Sequence, residues 1–182
     1  MSYEEYLAAE RESTVRHEYL RGEVFAMAGG TPEHAALAMA IGVQLGTALG
    51  KHPCSVFGSD LRVRVEATDL STYPDISVIC DHLERSKVDP NAVTNPVLLV
   101  EVLSDATEAY DRGEKFAHYR QIPSLREYVL VSQRRPMIEV YRKNGAGQWV
   151  LFEVHGGEFF ELESLGGVTL GVDYIYRNPL AD

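Results

Sequence analysis

Glu101 stands inside the run Val97 to Leu103, in which every other residue is apolar. A strand apolar on both sides is covered on both sides. An unpaired carboxylate there costs several kcal/mol or takes up a proton. Such a group is retained by an arginine partner, by backbone hydrogen bonds or by a cation. Asp75 follows Tyr73-Pro74, and Pro74 both disfavours helix at Tyr73 and lacks a ladder donor, which sets Asp75 at the entry of a strand. Alone it reads as an ordinary strand-entry or turn aspartate. Together the two carboxylates suggest more, because magnesium is commonly held by one or two carboxylates plus phosphate oxygens. Paired strands lie about 4.8 Å apart, so carboxylates on neighbouring strands can share one ion.

Asp111, Lys115 and Tyr119 recur every four residues and share one helix face. Taken bare, that is a solvated stripe with an Asp-to-Lys pair worth a few tenths of a kcal/mol. His34 follows Gly29-Gly30-Thr31 at a helix start, where an imidazole can cap, pack or meet a substrate phosphate at the positive end of the helix dipole. The glycines are no phosphate loop, since the GxxxxGK[ST] pattern is absent. His17-Glu18 lacks the second histidine of a zinc-protease helix. Arg62 and Arg64 alternate with Leu61, Val63 and Val65, which predicts a strand with one dry and one wet face. That wet face makes Arg62 a candidate phosphate contact if its strand lies beside Asp75.

The elements that must position these groups follow from pattern. Ser2 and Glu5 have capping-box spacing, so the first dozen residues form a short helix. Residues 16–28 read as a hairpin turning at Arg21-Gly22, with Glu18 on its first arm and Glu23 on its second. Thr31-Pro32 opens a long helix whose buried stripe is Leu37, Ile41, Leu45 and Leu49, closed by Gly50. Strands are expected over 76–80, 97–103 and 126–132, with a second helix inside 107–122 stopped by Pro123. Residues 81–95 read as a connection with one helical turn. The last third reads as hairpins turning at Asn144-Gly145 and Gly156-Gly157, a β extension of the same sheet.

A chain of 182 residues with 45% hydrophobic and 24% charged residues is globular, and one domain over 1–182 is expected to bury a core without a staple. Its start, MSYEEYLAAEREST, lacks a basic flank and an apolar run, and no stretch approaches a membrane span, so a soluble cytoplasmic protein is expected. Cys54 and Cys80 have no zinc-type spacing and read as reduced apolar filler. A net charge of −10 argues against a protein that coats nucleic acid non-specifically. It leaves open a nuclease, whose carboxylate metal site is itself acidic.

Pro74-Asp75, then Glu101-Val102-Leu103, framed by strands and followed by a helix, resembles the Pro-Asp…Asp/Glu-X-Lys nuclease superfamily. The string Glu101-Val102-Leu103-Ser104-Asp105-Ala106-Thr107, with Asp111, Lys115 and Tyr119 ahead of Arg126-Glu127-Tyr128-Val129-Leu130, resembles its Uma-type branch of restriction-endonuclease-like proteins. The likeness spans residues 15–132 and includes Glu18 and His34. It implies an α/β (α+β) restriction-endonuclease-like core: a mixed central β-sheet flanked by helices, here with a C-terminal β-hairpin extension over 137–182.

The resemblance further implies Asp75 and Glu101 as ligands of Mg²⁺, which Mn²⁺ could replace, and DNA hydrolysis by in-line attack of a metal-activated water. Leu103 stands where the superfamily has lysine. The Uma-type pattern offers Lys115 instead, and Glu18 as a further ligand through water. Cutting both strands of a duplex implies a homodimer, which would also cover exposed strand edges. Two other readings stay open: a nuclease fold that lost catalysis and serves binding or assembly, and a small-molecule phosphoesterase.

Overall fold

The computed structural model describes residues 1–177. Ser2 caps α1 (Tyr3–Glu12) reciprocally with Glu5, each side chain accepting the other's amide. Next come β1 (His17–Leu20), β2 (Glu23–Ala26) and α2 (Pro32–Leu49), the last capped by the Thr31 hydroxyl. The middle of the chain carries β3 (Cys54–Gly58), β4 (Arg62–Val65), β5 (Leu70–Thr72), β6 (Ile76–Cys80), β7 (Ala92–Val93) and β8 (Leu98–Val102). A helical run over 108–119 follows, in which α-turns Glu108–Tyr110 and Phe116–Tyr119 flank a π-helical segment, Asp111–Lys115. The rest is β9 (Glu127–Val131), β10 (Met137–Lys143), β11 (Trp149–His155), β12 (Phe159–Leu162), β13 (Val168–Gly171) and a final turn, Val172–Ile175.

Six strands form the central sheet in the order β11-β10-β9-β8-β6-β3, mixed because β8 and β9 run parallel while the other pairs are antiparallel. One face packs the Leu37, Ile41, Leu45 and Leu49 stripe of α2 and the β12-β13 ribbon against Val78, Val100 and Val129. The other face, through Leu99, Leu103 and Leu130, meets Phe116 and Tyr119 of the 108–119 helix and Val63 and Val65 of a second sheet. That second sheet has the order β2-β1-β5-β4-β7. The mixed sheet between helices is the architecture expected from the sequence. Alternation along β8 sends Leu99, Glu101 and Leu103 to the helix-covered side, so Glu101 is a charge within the second core cluster.

Four expectations are corrected. The wet face of β4 is dry: Arg62 and Arg64 are 8% and 7% exposed. Arg62 Nε donates to Asp89 Oδ2 at 2.7 Å, and Arg64 pairs with Asp69 and lies 3.9 Å from the centroid of the Tyr3 ring. Tyr3 and Tyr6 of α1 are the cause; they cover this surface and give the guanidinium groups aromatic faces. Cys54 and Cys80 are not reduced filler but disulfide-bonded, because antiparallel register sets them directly opposite on β3 and β6. Residues 81–95 form no helical turn; β7 pairs parallel to β4 and bridges Arg85 through Val93. Finally, β12 leaves the central sheet and pairs with β13, since its alternate residues Phe160 and Leu162 are drawn into the α2-side core.

Candidate active site

Asp75 and Glu101 face each other across β6 and β8. The last ladder pair is Ile76 with Val100, so one step beyond it sets Asp75 opposite Glu101 on the same face. Polar contacts tie each side chain to the facing strand's backbone: the Asp75 amide donates to Glu101 Oε2 at 3.4 Å, and the Val102 amide donates to Asp75 Oδ2 at 2.7 Å. The ladder stops at Ile76 and Val100, and beyond it the Val102 amide donates to the Asp75 carboxylate rather than to a strand carbonyl.

Lys115 arrives from the 108–119 helix. Its Nζ lies 2.9 Å from Glu101 Oε1, 3.2 Å from Glu18 Oε1 and 3.6 Å from Asp111 Oδ1. Tyr119, one turn further on, donates its hydroxyl to the same Glu101 Oε1 at 2.7 Å. Glu18 comes from β1 of the second sheet and also accepts from the Thr72 hydroxyl of β5. Three separate elements, the central sheet, the second sheet and the helix, thus meet at one ammonium group. The π-helical segment contains both Asp111 and Lys115 and turns them to this side, a local distortion that recurs at functional sites.

Three carboxylates crowd one lysine, and the electrostatics follow. Burial pushes the Glu101 carboxyl up to about 8, against the opposing pull of Lys115, with Asp75 and Asp111 adding to the rise. Burial also raises Asp111. For Lys115 burial works toward a lower value, but the charges of Glu101, Glu18 and Asp111 outweigh it and hold the ammonium well above its ordinary range.

His34 is placed on Asp75, with Nε2 3.2 Å from Oδ2, and this hydrogen bond raises its pKa. Gly30 permits the approach, because a Cβ there would lie 2.9 Å from His34 Nδ1. Glu18, His34, Asp75, Glu101 and Lys115 all line one groove of about 310 Å³. Arg62 is not brought to it; its guanidinium is held by Asp89 and the Tyr73 hydroxyl. Sequence reasoning missed Thr72 entirely and saw Tyr119 only as a position on a helix face. Nothing in a single sequence marks a hydroxyl whose partner is a carboxylate on another element.

The sequence matches the Uma2 family, whose description reads "Putative restriction endonuclease", over residues 3–173. The chain belongs to the Uma2 family. Two proteins of Synechocystis sp. are similar to it over nearly their whole lengths. Uncharacterized protein slr1290 is 38% identical over 177 residues, 97% of this chain and 92% of that one. Uncharacterized protein sll1609 is 36% identical over 152 residues, 84% and 86% of the two chains. A crystal structure described as "a putative nuclease belonging to DUF820 from Anabaena variabilis" superposes with a TM-score of 0.79 at 17% identity, covering 97% of both chains. That last likeness speaks to the fold.

For this Uma2 chain the donor set decides what the site can hold. Among the described residues no group of three or more His, Cys, Asp or Glu side chains is arranged to hold a metal ion by itself. A two-carboxylate site is a different matter. Asp75 Oδ1 accepts no hydrogen bond among the described residues, and Glu101 Oε2 accepts only the long one from the Asp75 amide. These are hard oxygen donors turned toward a groove, and they fit an ion that completes its shell with water and phosphate oxygens. No helix of the described residues is long and apolar enough to cross a membrane.

Proposed function

We propose that this Uma2 protein is a magnesium-dependent endonuclease that hydrolyses phosphodiester bonds of DNA. The observation that carries the reading is the convergence of Asp75 and Glu101 from facing strands with Lys115, 2.9 Å from Glu101, in one groove. Asp75 Oδ1 and Glu101 Oε2 would hold the ion, with manganese able to replace magnesium. When bound, the ion supplies the positive charge that makes water nucleophilic at neutral pH and offsets the charge growing on the phosphate.

The protein's own groups do the rest. Lys115 and Tyr119 hold Oε1 of Glu101, which fixes the other oxygen toward Asp75. The Val102 amide fixes Asp75 in the same way. The Lys115 ammonium lines the groove beside Glu101, where it would orient the attacking water or stabilise the crowded phosphate. In the reaction the water oxygen bonds to phosphorus as an ester P–O bond breaks, and the leaving oxygen takes up a proton. Glu18 and Asp111 keep Lys115 charged, as the raised pKa of the lysine requires.

The test is cleavage of labelled DNA in magnesium, in manganese and in chelator. Nicking that is abolished by chelator, restored by magnesium and lost in Asp75→Asn supports the reading; cleavage indifferent to chelator or to that substitution overturns it.

A further inference from the structure

The catalytic groups leave one large side chain of the groove unexplained. Phe25 is 49% exposed, yet it lines the same groove as Asp75, Glu101 and Lys115. Its position is fixed by the hairpin: Phe25 is the direct antiparallel partner of Glu18. Cross-strand partners share a face with Cβ atoms about 4.5–5.5 Å apart, and Glu18 itself reaches Lys115 at 3.2 Å. The phenyl ring therefore stands beside the carboxylate and lysine cluster, on a strand at the edge of the second sheet. Tyr110 and Met27 line the same groove.

Charge argues against an intact duplex in this place. Duplex binding draws on many lysines and arginines that displace counterions from the phosphates. This chain carries −10. No arginine lines the groove among the described residues, and two that flank it are paired: Arg16, in the adjoining groove that shares His34 and Asp75, with Asp60, and Arg134, next to the groove residue Gln133, with Asp105 and Glu108. A single strand draws less on such a surface, because its counterion release per phosphate is smaller and each base stacked on an exposed aromatic ring adds about 1–3 kcal/mol irrespective of sequence.

We propose that the groove takes single-stranded DNA, with the base beside the scissile phosphate stacked on Phe25. This rests on the nuclease reading for the identity of that phosphate, and it deepens that reading by naming the substrate form. A single strand needs one catalytic centre, so it does not depend on the homodimer that cutting both strands would require.

The experiment compares wild type, Phe25→Ala and Phe25→Trp on a labelled single-stranded oligonucleotide and on the same sequence as a blunt duplex. Binding is read by fluorescence anisotropy in chelator, and cleavage by initial rates in magnesium. The expected result is tighter binding and faster cutting of the strand than of the duplex. Phe25→Ala should weaken strand binding and raise KM about tenfold with little change in kcat, and Phe25→Trp should restore both. Strand binding that depends on Phe25 without cleavage in any metal would remove the nuclease reading, and with it the scissile phosphate, while keeping the single strand stacked on Phe25. Duplex bound and cut as well as the strand, or Phe25→Ala without effect on strand binding, overturns the proposal. It also falls if Phe25→Ala changes only the oligomeric state, since the ring would then be a contact between copies of the chain.

Discussion

The ammonium of Lys115 lies 2.9 Å from Oε1 of Glu101, although the lysine is carried by a helix and the carboxylate by the strand before it. Leu103, at the strand position where the superfamily has lysine, instead packs in the core cluster with Phe116 and Tyr119.

Lys115→Met removes the ammonium shared by Glu101, Glu18 and Asp111. Breaking a buried pair by deleting one partner costs roughly 3 kcal/mol or more, because the remaining charge is left uncompensated. Chemical denaturation should show a loss of that order at pH 8 and a smaller one at pH 5, where the carboxyls can take protons. A loss that does not depend on pH would mean that the lysine contributes packing alone.

Folding raises the Glu101 pKa from 4.5 to about 8 through burial. A group raised in this way contributes stability that is fully present below its unfolded value and is lost as pH rises through its folded value. The metal-free protein should therefore lose melting temperature between about pH 4.5 and pH 8, and Glu101→Gln should flatten that part of the profile. Magnesium should raise the melting temperature more at pH 8.5 than at pH 6, since it must displace the proton at the lower pH. Equal shifts at the two pH values would remove Glu101 from the ligand set.

Tyr119→Phe takes away the hydroxyl that holds Glu101 Oε1 at 2.7 Å. A hydrogen bond to a charged group is worth about 1.5–3 kcal/mol. Magnesium affinity by calorimetry should fall roughly tenfold or more on that basis, with the circular dichroism spectrum unchanged. Unchanged affinity would show that Lys115 positions the carboxylate alone.

Much of the frame was legible because it rests on local chemistry. The Ser2 and Glu5 capping box, the Thr31-Pro32 helix start and the stripe from Leu37 to Leu49 each act within a few residues, and each forms as expected. The facing of Asp75 and Glu101 was approachable because a charge in a doubly apolar strand demands a partner. The fate of Arg62 and Arg64 was not legible, since their covering tyrosines come from α1 and only the fold brings the two segments together. The same is true of Thr72 and Glu18, which meet across two strands. It is also true of the Cys54 and Cys80 pairing, which depends on the register of β3 and β6.

That disulfide closes a sequence separation of 26 residues. The loop entropy it removes from the unfolded chain corresponds to about 3–4 kcal/mol. Replacing both cysteines with serine should lower stability by that order, and thiol titration of denatured protein without reductant should find no free thiols. Two titratable thiols would show that the bond does not form.

Single-turnover cleavage of a labelled DNA strand at saturating magnesium tests the central claim most directly, with wild type, Glu101→Gln and Lys115→Ala purified in parallel. The wild type should cut, and both variants should be slowed at least a hundredfold, roughly 2.7 kcal/mol of transition-state stabilisation. Cleavage by all three proteins at one rate would contradict the account.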